Sequence, residues 1–176
     1  MKHGHVSIFE MADFTFEITT SRGIAAQILR HRHFNFQEFS QRYSAAQAFE
    51  EIEPRLQDPT NKQNSTENLD PDLSLWFQEG VRDLEKRTEK FYNQALEYGI
   101  AKEQARFVLP LSTQTVLYMK GSLRSWIHYL ALRMGVETQK EHREIAYAIH
   151  DILVKEAPDV MATLKDYSIY QSNPYG

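Results

Sequence analysis

The chain has 176 residues, 41% of them hydrophobic and 25% charged, with a formal net charge of −4. That length holds one domain or subunit with a real core, the acidic balance argues against a nucleic-acid binder, and no run approaches the roughly 18 apolar residues of a membrane span. The absence of cysteine excludes disulfides, thiolate metal sites and a cysteine nucleophile, and the N-terminus MKHGHVSIFE lacks an apolar signal-peptide core, so the cytoplasm is the expected compartment.

From Ala12 to Thr19 the chain alternates, with Phe14, Phe16 and Ile18 on one side and Thr15, Glu17 and Thr19 on the other. This predicts a half-buried strand. Ser21 can cap a helix with Ile24, Ala25, Ile28 and Leu29 as its apolar positions. Gln27, Arg30 and His31 then share one helical face, and His33 to Ser44 reads as irregular or extended. Residues 51–72 are polar and carry Pro54, Pro59 and Pro71, which predicts a surface loop. The clearest helix starts at Asp72 and ends before Gly99, with Leu73, Trp76, Phe77, Val81, Leu84, Phe91 and Tyr92 expected in the core. A short helix over 102–107 precedes Pro110. Thr113 to Met119 reads as a strand, and Gly121 and Ser122 lead into a helix to Arg133 that buries Leu123, Trp126, Ile127 and Leu130. A helix over about 138–155 and a short one after Pro158 complete a single α+β domain, a small and mostly antiparallel sheet with flanking helices.

The chemistry concentrates in RHRHFNFQEFSQRYS, Arg30 to Ser44. Arg30, Arg32 and Arg42 stand with His31 and His33 around one acid, Glu38, on an acidic protein. Forked guanidiniums beside a serine hydroxyl fit a phosphate. Phe34, Phe36, Phe39 and Tyr43 interleave the charges, so the arginines are expected to be partly buried and to need partners. Glu38 can neutralise one of them. The bland alternative is a solvated basic turn. The pairs His3/His5 and His31/His33 have metal-like spacing but lack carboxylate or cysteine company, so no metal site is assigned.

This segment resembles the signature of the flavin-dependent thymidylate synthases, which is RHR, seven residues, then Ser. Here it is Arg30-His31-Arg32, HFNFQEF and Ser40. His3 to Ile18, Ala105 to Thr115, Ser122 to Arg133 and Thr138 to Ala146 are similar to four further family blocks in the same order. The resemblance implies reductive methylation of dUMP to dTMP, with methylenetetrahydrofolate as carbon donor, FAD as hydride carrier and NADPH as reductant. It also implies a homotetramer with active sites at subunit interfaces. A chain without cysteine must activate the pyrimidine without a thiolate, by electrostatics and positioning.

Carried over by position, the resemblance assigns Gln27, Arg30, Glu38, Phe39, Ser40, Gln41, Arg42, Arg106 and Arg133 to dUMP. Of these, Glu38 to Arg42 form the turn around phosphate and sugar, using backbone N–H groups as well as side chains. Arg106 reaches phosphate from a neighbouring subunit. Arg133 contacts uracil and favours its N3 anion, which makes it the catalytic residue. Arg30, His31, Arg32, Gln37, Glu38, Ser122, Arg124 and His128 are assigned to FAD. Ser40 lacks a general base and is given a binding role. Arg106 has a plain alternative, pairing with Glu103 on its own helix. The chain departs from the family pattern in three places: the segment usual before Met1 is absent, Asn35 to Gln37 replace the frequent signature residues, and Glu137 stands where a histidine is frequent near the flavin. Three other functions compete with this one: a methylase of another uridine nucleotide such as UMP, a nucleotide-binding homologue without catalysis, and a nucleic-acid-binding module using the basic patch.

Overall fold

The computed structural model describes residues 7–40 and 48–164. The fold is α+β, with helices and a small antiparallel sheet. Strand β1 (Asp13–Ser21) alternates as its sequence predicts, burying Phe16 and Ile18 and exposing Thr15, Glu17 and Thr19. Helix α1 (Arg22–Ile28) follows directly, then strand β2 (Asn35–Glu38). Strand β5 (Gln114–Ser122) lies between them, giving the sheet order β1-β5-β2. By contact density the chain divides into two compact units. One comprises residues 1–18, 28–36 and 118–176, the other residues 19–27 and 37–117.

In the first unit, helix α4 (Leu123–Arg133) starts where β5 ends. Ser122 is its N-cap, its hydroxyl accepting from the Ser125 N–H at 3.3 Å, so the strand passes into the helix without a loop. Leu123, Trp126, Ile127 and Leu130 are buried as expected, and Tyr129 with them. Helix α5 (Lys140–Glu156) turns His142, Ala146, Ile149 and Leu153 inward at helical spacing, and helix α6 (Pro158–Leu164) follows. Gly121 is required by a close approach. A Cβ there would lie 2.5 Å from the ring of Phe34.

In the second unit, the first turn of α1 is tied down donor by donor. The N–H groups of Arg22 and Gly23 go to the carbonyls of Thr113 and Leu111, and that of Ile24 goes to the Ser21 hydroxyl. Glu50 accepts from the N–H of Ser21 and the hydroxyl of Thr20. Residues 51–72 are not featureless. Strands β3 (Leu56–Gln57) and β4 (Ser65–Thr66) pair antiparallel. Asp58 closes the turn between them by accepting from the N–H groups of Thr60 and Asn61, an Asx turn that hydropathy does not reveal.

Helix α2 (Pro71–Glu97) is capped by Asp70, which accepts from the N–H groups of Asp72 and Leu73. It ends at Tyr98, with Gly99 beyond it at φ +81°. Its expected core role is corrected here. Only Tyr92 is buried, while Trp76, Leu84 and Phe91 are 68%, 64% and 58% exposed. The more sheltered stripe is instead Ser74, Gln78, Val81, Glu85, Thr88 and Tyr92. Helical spacing identified an apolar face but not what that face meets. Helix α3 (Lys102–Ala105) continues into a 3-10 turn, Arg106–Val108.

Candidate functional site

The RHR segment lies beyond α1, which ends at Ile28. The expectation that Gln27, Arg30 and His31 share a helical face therefore fails. The chain turns instead, the His31 N–H bonding the Ile28 carbonyl at 3.1 Å and the Phe34 N–H bonding the His31 carbonyl at 3.2 Å. Phe34 is buried and packs on Trp126, with ring centroids 4.6 Å apart. That anchor brings His31 against α4.

Arg133, half-buried in the last turn of α4, donates from Nε to Nε2 of His31 at 2.9 Å. Arginine has no acceptor, so this bond requires an unprotonated Nε2 and places the imidazole proton on Nδ1. Burial lowers the pKa of His31 to about 4, with the charges of Arg133, His128 and His33 adding to the effect. The ring is a neutral acceptor at physiological pH. Among the described residues, Nη1 and Nη2 of Arg133 have no hydrogen-bond partner. The same unit holds Ser122 and Arg124, both engaged by Glu10. The Ser122 hydroxyl donates at 2.7 Å, and Arg124 Nη1 pairs with the carboxylate at 3.2 Å. His33 and His128 are exposed, their rings 6.3 Å apart and perpendicular. Arg30 and Arg32 are exposed rather than partly buried, and neither makes an ion pair among the described residues. The intervening aromatics do not sequester them, because Phe34 alone of Phe34, Phe36 and Phe39 is buried.

In the second unit, Glu38 does not neutralise a signature arginine. It pairs with Arg22 Nη1 at 3.3 Å and accepts from the Thr115 hydroxyl at 2.9 Å. Alternation along β2 turns Glu38 to the side where β5 presents Thr115, a pairing that sequence proximity hides. The Phe39 N–H is used by the Val116 carbonyl at 2.9 Å, so that donor is not available to a phosphate. Gln37 is exposed, and Gln27 and Ser40 are half-buried. Gln41 and Arg42 lie outside the described residues, as do Tyr43 and Ser44. Arg106 donates from Nε to the Glu103 carbonyl at 3.3 Å and lies over the ring of Phe107. A cavity of about 330 Å³ beside α2 is lined by Phe49, Glu50, Arg82 and Glu85 among others, and by none of the expected site residues.

A family model described as thymidylate synthase complementing protein matches residues 1–159. A flavin-dependent thymidylate synthase from Synechocystis sp. is 53% identical over 165 residues, which cover 94% of this chain and 77% of that protein. The chain belongs to the flavin-dependent thymidylate synthase family. A probable flavin-dependent thymidylate synthase from Paramecium bursaria Chlorella virus 1 is 49% identical, with 93% of this chain and 76% of that protein covered. Among solved structures, the UMP/dUMP methylase PolB from Streptomyces cacaoi, bound with 5-Br UMP, superposes with a TM-score of 0.86 at 25% identity, covering 96% of this chain and 80% of that one. In this chain, which has no cysteine, the Arg133 guanidinium is held by the neutral imidazole of His31. Sequence reasoning missed Arg22, Thr115, Glu10, Tyr129 and His142. Of these His142 left a visible signal, a histidine at a buried position of the α5 stripe.

Proposed function

We propose that this flavin-dependent thymidylate synthase converts dUMP to dTMP, with Arg133 as the catalytic cation. Methylenetetrahydrofolate supplies the carbon, FAD carries the hydride and NADPH reduces the flavin. The observation that carries the assignment is the Arg133–His31 pair. Uracil C5 becomes nucleophilic when negative charge on N3 and the carbonyl oxygens is stabilised. A guanidinium whose Nε is anchored at 2.9 Å on His31 can direct both terminal nitrogens to that charge. It stays charged throughout and pays little reorganisation when the charge forms. Gln27 and Arg30 face the nucleotide in this reading, and Glu38, Phe39, Ser40, Gln41 and Arg42 form the turn at its phosphate and sugar. Arg106 spends its Nε within its own chain, leaving its terminal nitrogens for the phosphate at a neighbouring subunit.

The residues assigned to FAD suit it chemically. Arg30 and Arg32 are exposed cations without an ion pair among the described residues, as a diphosphate requires. Among the described residues Arg124 is held by a half-exposed pair with Glu10, a contact worth about 0–1 kcal/mol and readily exchanged. His31, Gln37, Glu38, Ser122 and His128 complete that set. When bound, the flavin would supply the hydride of the reductive methylation. Glu137, in place of a frequent histidine, is exposed.

A homotetramer in the cytoplasm completes the reading. Phe77, Leu84, Phe91 and Tyr98 recur every seven residues along α2 and are all exposed, an apolar seam of the kind that other copies of a chain cover. The likeness to PolB raises UMP as a rival substrate, but the identity to that protein is 25%, against 53% to a thymidylate synthase. Product analysis with dUMP and UMP in parallel separates the two. Methylation of dUMP with the higher kcat/KM is expected, and a preference for UMP would replace the reading. Failure to take up added FAD, seen as no bound flavin absorbance, would leave the nucleotide-binding homologue. Oligonucleotide binding that weakens with salt, without dUMP binding, would favour the nucleic-acid module.

A further inference from the structure

Behind His31 lies a buried polar pair that the proposed reaction does not use. The Tyr129 hydroxyl and Nε2 of His142 are 2.9 Å apart, and both side chains are completely buried. Nδ1 of His142 is buried and has no hydrogen-bond partner among the described residues. Sinking a phenol and an imidazole into a core costs free energy that a Phe–Leu pair of similar volume would not, and a buried nitrogen left unpaired adds to it. Burial also lowers the pKa of His142 to about 4 and raises that of Tyr129, so both groups are neutral.

The geometry around them gives this cost a purpose. His31 meets the ring of Tyr129 edge-on at 5.0 Å and 76°, and the ring of His142 at 6.0 Å and 82°. Phe34 closes a third side at 6.5 Å and 88°. The imidazole that anchors Arg133 is thus boxed by three rings. A Tyr129 ring held by packing alone can swing about its Cα–Cβ bond, whereas one bonded through its hydroxyl to a buried histidine on another helix has its far end pinned. The Tyr129 ring bounds the space His31 can occupy, and His31 holds the Nε of Arg133.

We propose that Tyr129 and His142 are positioning residues for Arg133: their buried hydrogen bond fixes the rings that orient His31, and through it the guanidinium offered to the nucleotide. This rests on the reading of Arg133 as the uracil-binding cation. Neither residue touches substrate. They act only by narrowing the range of directions in which Nη1 and Nη2 point.

The test is a double-mutant cycle on dUMP binding by titration calorimetry, paired with hydrogen exchange at the Arg133 Nε–H followed by nitrogen-15 NMR. Tyr129→Phe keeps the ring and removes the bond. It is expected to weaken dUMP about tenfold, the loss of one well-aimed charged hydrogen bond, and to speed exchange at Nε. In an Arg133→Ala background the same change should alter binding less than about twofold. His142→Gln places an amide near Nε2 and should retain dUMP affinity, whereas His142→Leu should match Tyr129→Phe. If Tyr129→Phe does not fold, the Gln and Leu variants at position 142 make the same comparison. Unchanged affinity and unchanged exchange in the variants without the bond overturn the proposal, as does an equal loss with and without Arg133. If Arg133→Ala itself leaves dUMP binding intact, the role of Arg133 is what fails, and Nε exchange alone then decides whether the pair positions it.

Discussion

Gly121→Ala offers a sharp test of how the signature is held. The added Cβ would lie 2.5 and 2.6 Å from two ring carbons of Phe34, well inside any real carbon contact. Phe34 cannot swing aside cheaply. Its ring is rigid, 8% exposed, and in edge contact with Trp126 at 4.6 Å and Tyr129 at 5.8 Å. Either β5 shifts or Phe34 leaves its socket, and overpacking of this kind costs ~1–3 kcal/mol. At a size near 176 residues, a loss of about 2 kcal/mol lowers Tm by roughly 4–8 °C. Because the Phe34 N–H also bonds the His31 carbonyl at 3.2 Å, displacing Phe34 should disturb the RHR turn and weaken dUMP binding as well as stability. Thermal unfolding at fixed protein concentration gives the first quantity, and calorimetric titration with dUMP gives the second. Adding Phe34→Leu should recover part of the lost stability. A Gly121→Ala protein within about 0.5 kcal/mol of wild type, with unaltered dUMP affinity, would refute the reasoning.

Acid should destabilise the fold between about pH 6.5 and 4. His31 and His142 bind protons more readily unfolded than folded, so their contribution is complete above the ordinary histidine pKa of 6.5 and is lost as pH falls toward about 4. For His142, which is fully buried, this amounts to ~3 kcal/mol, and denaturant titrations of His142→Gln should show a correspondingly flatter acid limb. Glu38→Gln should cost ~1 kcal/mol in urea unfolding through its bonds to Arg22 and Thr115, and Thr115→Val on top of it should add less than its cost alone. Asp70→Ala removes the cap of α2 and should lower stability by ~1 kcal/mol, read by chemical denaturation. If the proposed tetramer closes over the α2 seam, Phe77→Glu with Phe91→Glu should give smaller species by light scattering than the unaltered protein while leaving the far-ultraviolet helical signal intact, because both side chains are exposed in the single chain.

The legible parts of the fold were those fixed by local pattern. Alternation along Ala12 to Thr19 gave β1, and the inward positions of α4 followed from helical spacing, because in both cases period alone decides which side chains are buried. Helix α2 shows where period stops informing. Trp76 and Phe91 are as apolar as Trp126, yet they are exposed, since a stripe does not say whether it meets its own chain or another. The candidate site was legible as a family motif but not as a set of contacts. Glu38 is separated by 77 positions from Thr115, and Arg133 by 102 from His31, so only the fold could pair them. The short range of α1 also escaped its sequence, because what ends that helix is the turn that delivers His31 to α4.

An anaerobic single turnover measures directly whether Arg133 serves a flavin-dependent methylation of dUMP. The protein is loaded with FAD, reduced, and mixed with dUMP and methylenetetrahydrofolate, with dTMP and oxidised flavin quantified together. One dTMP per flavin oxidised is predicted for the wild type, with the rate lowered ~10²–10³-fold in Arg133→Ala. Flavin oxidation without dTMP, or an Arg133→Ala protein that forms dTMP at the wild-type rate, would contradict it.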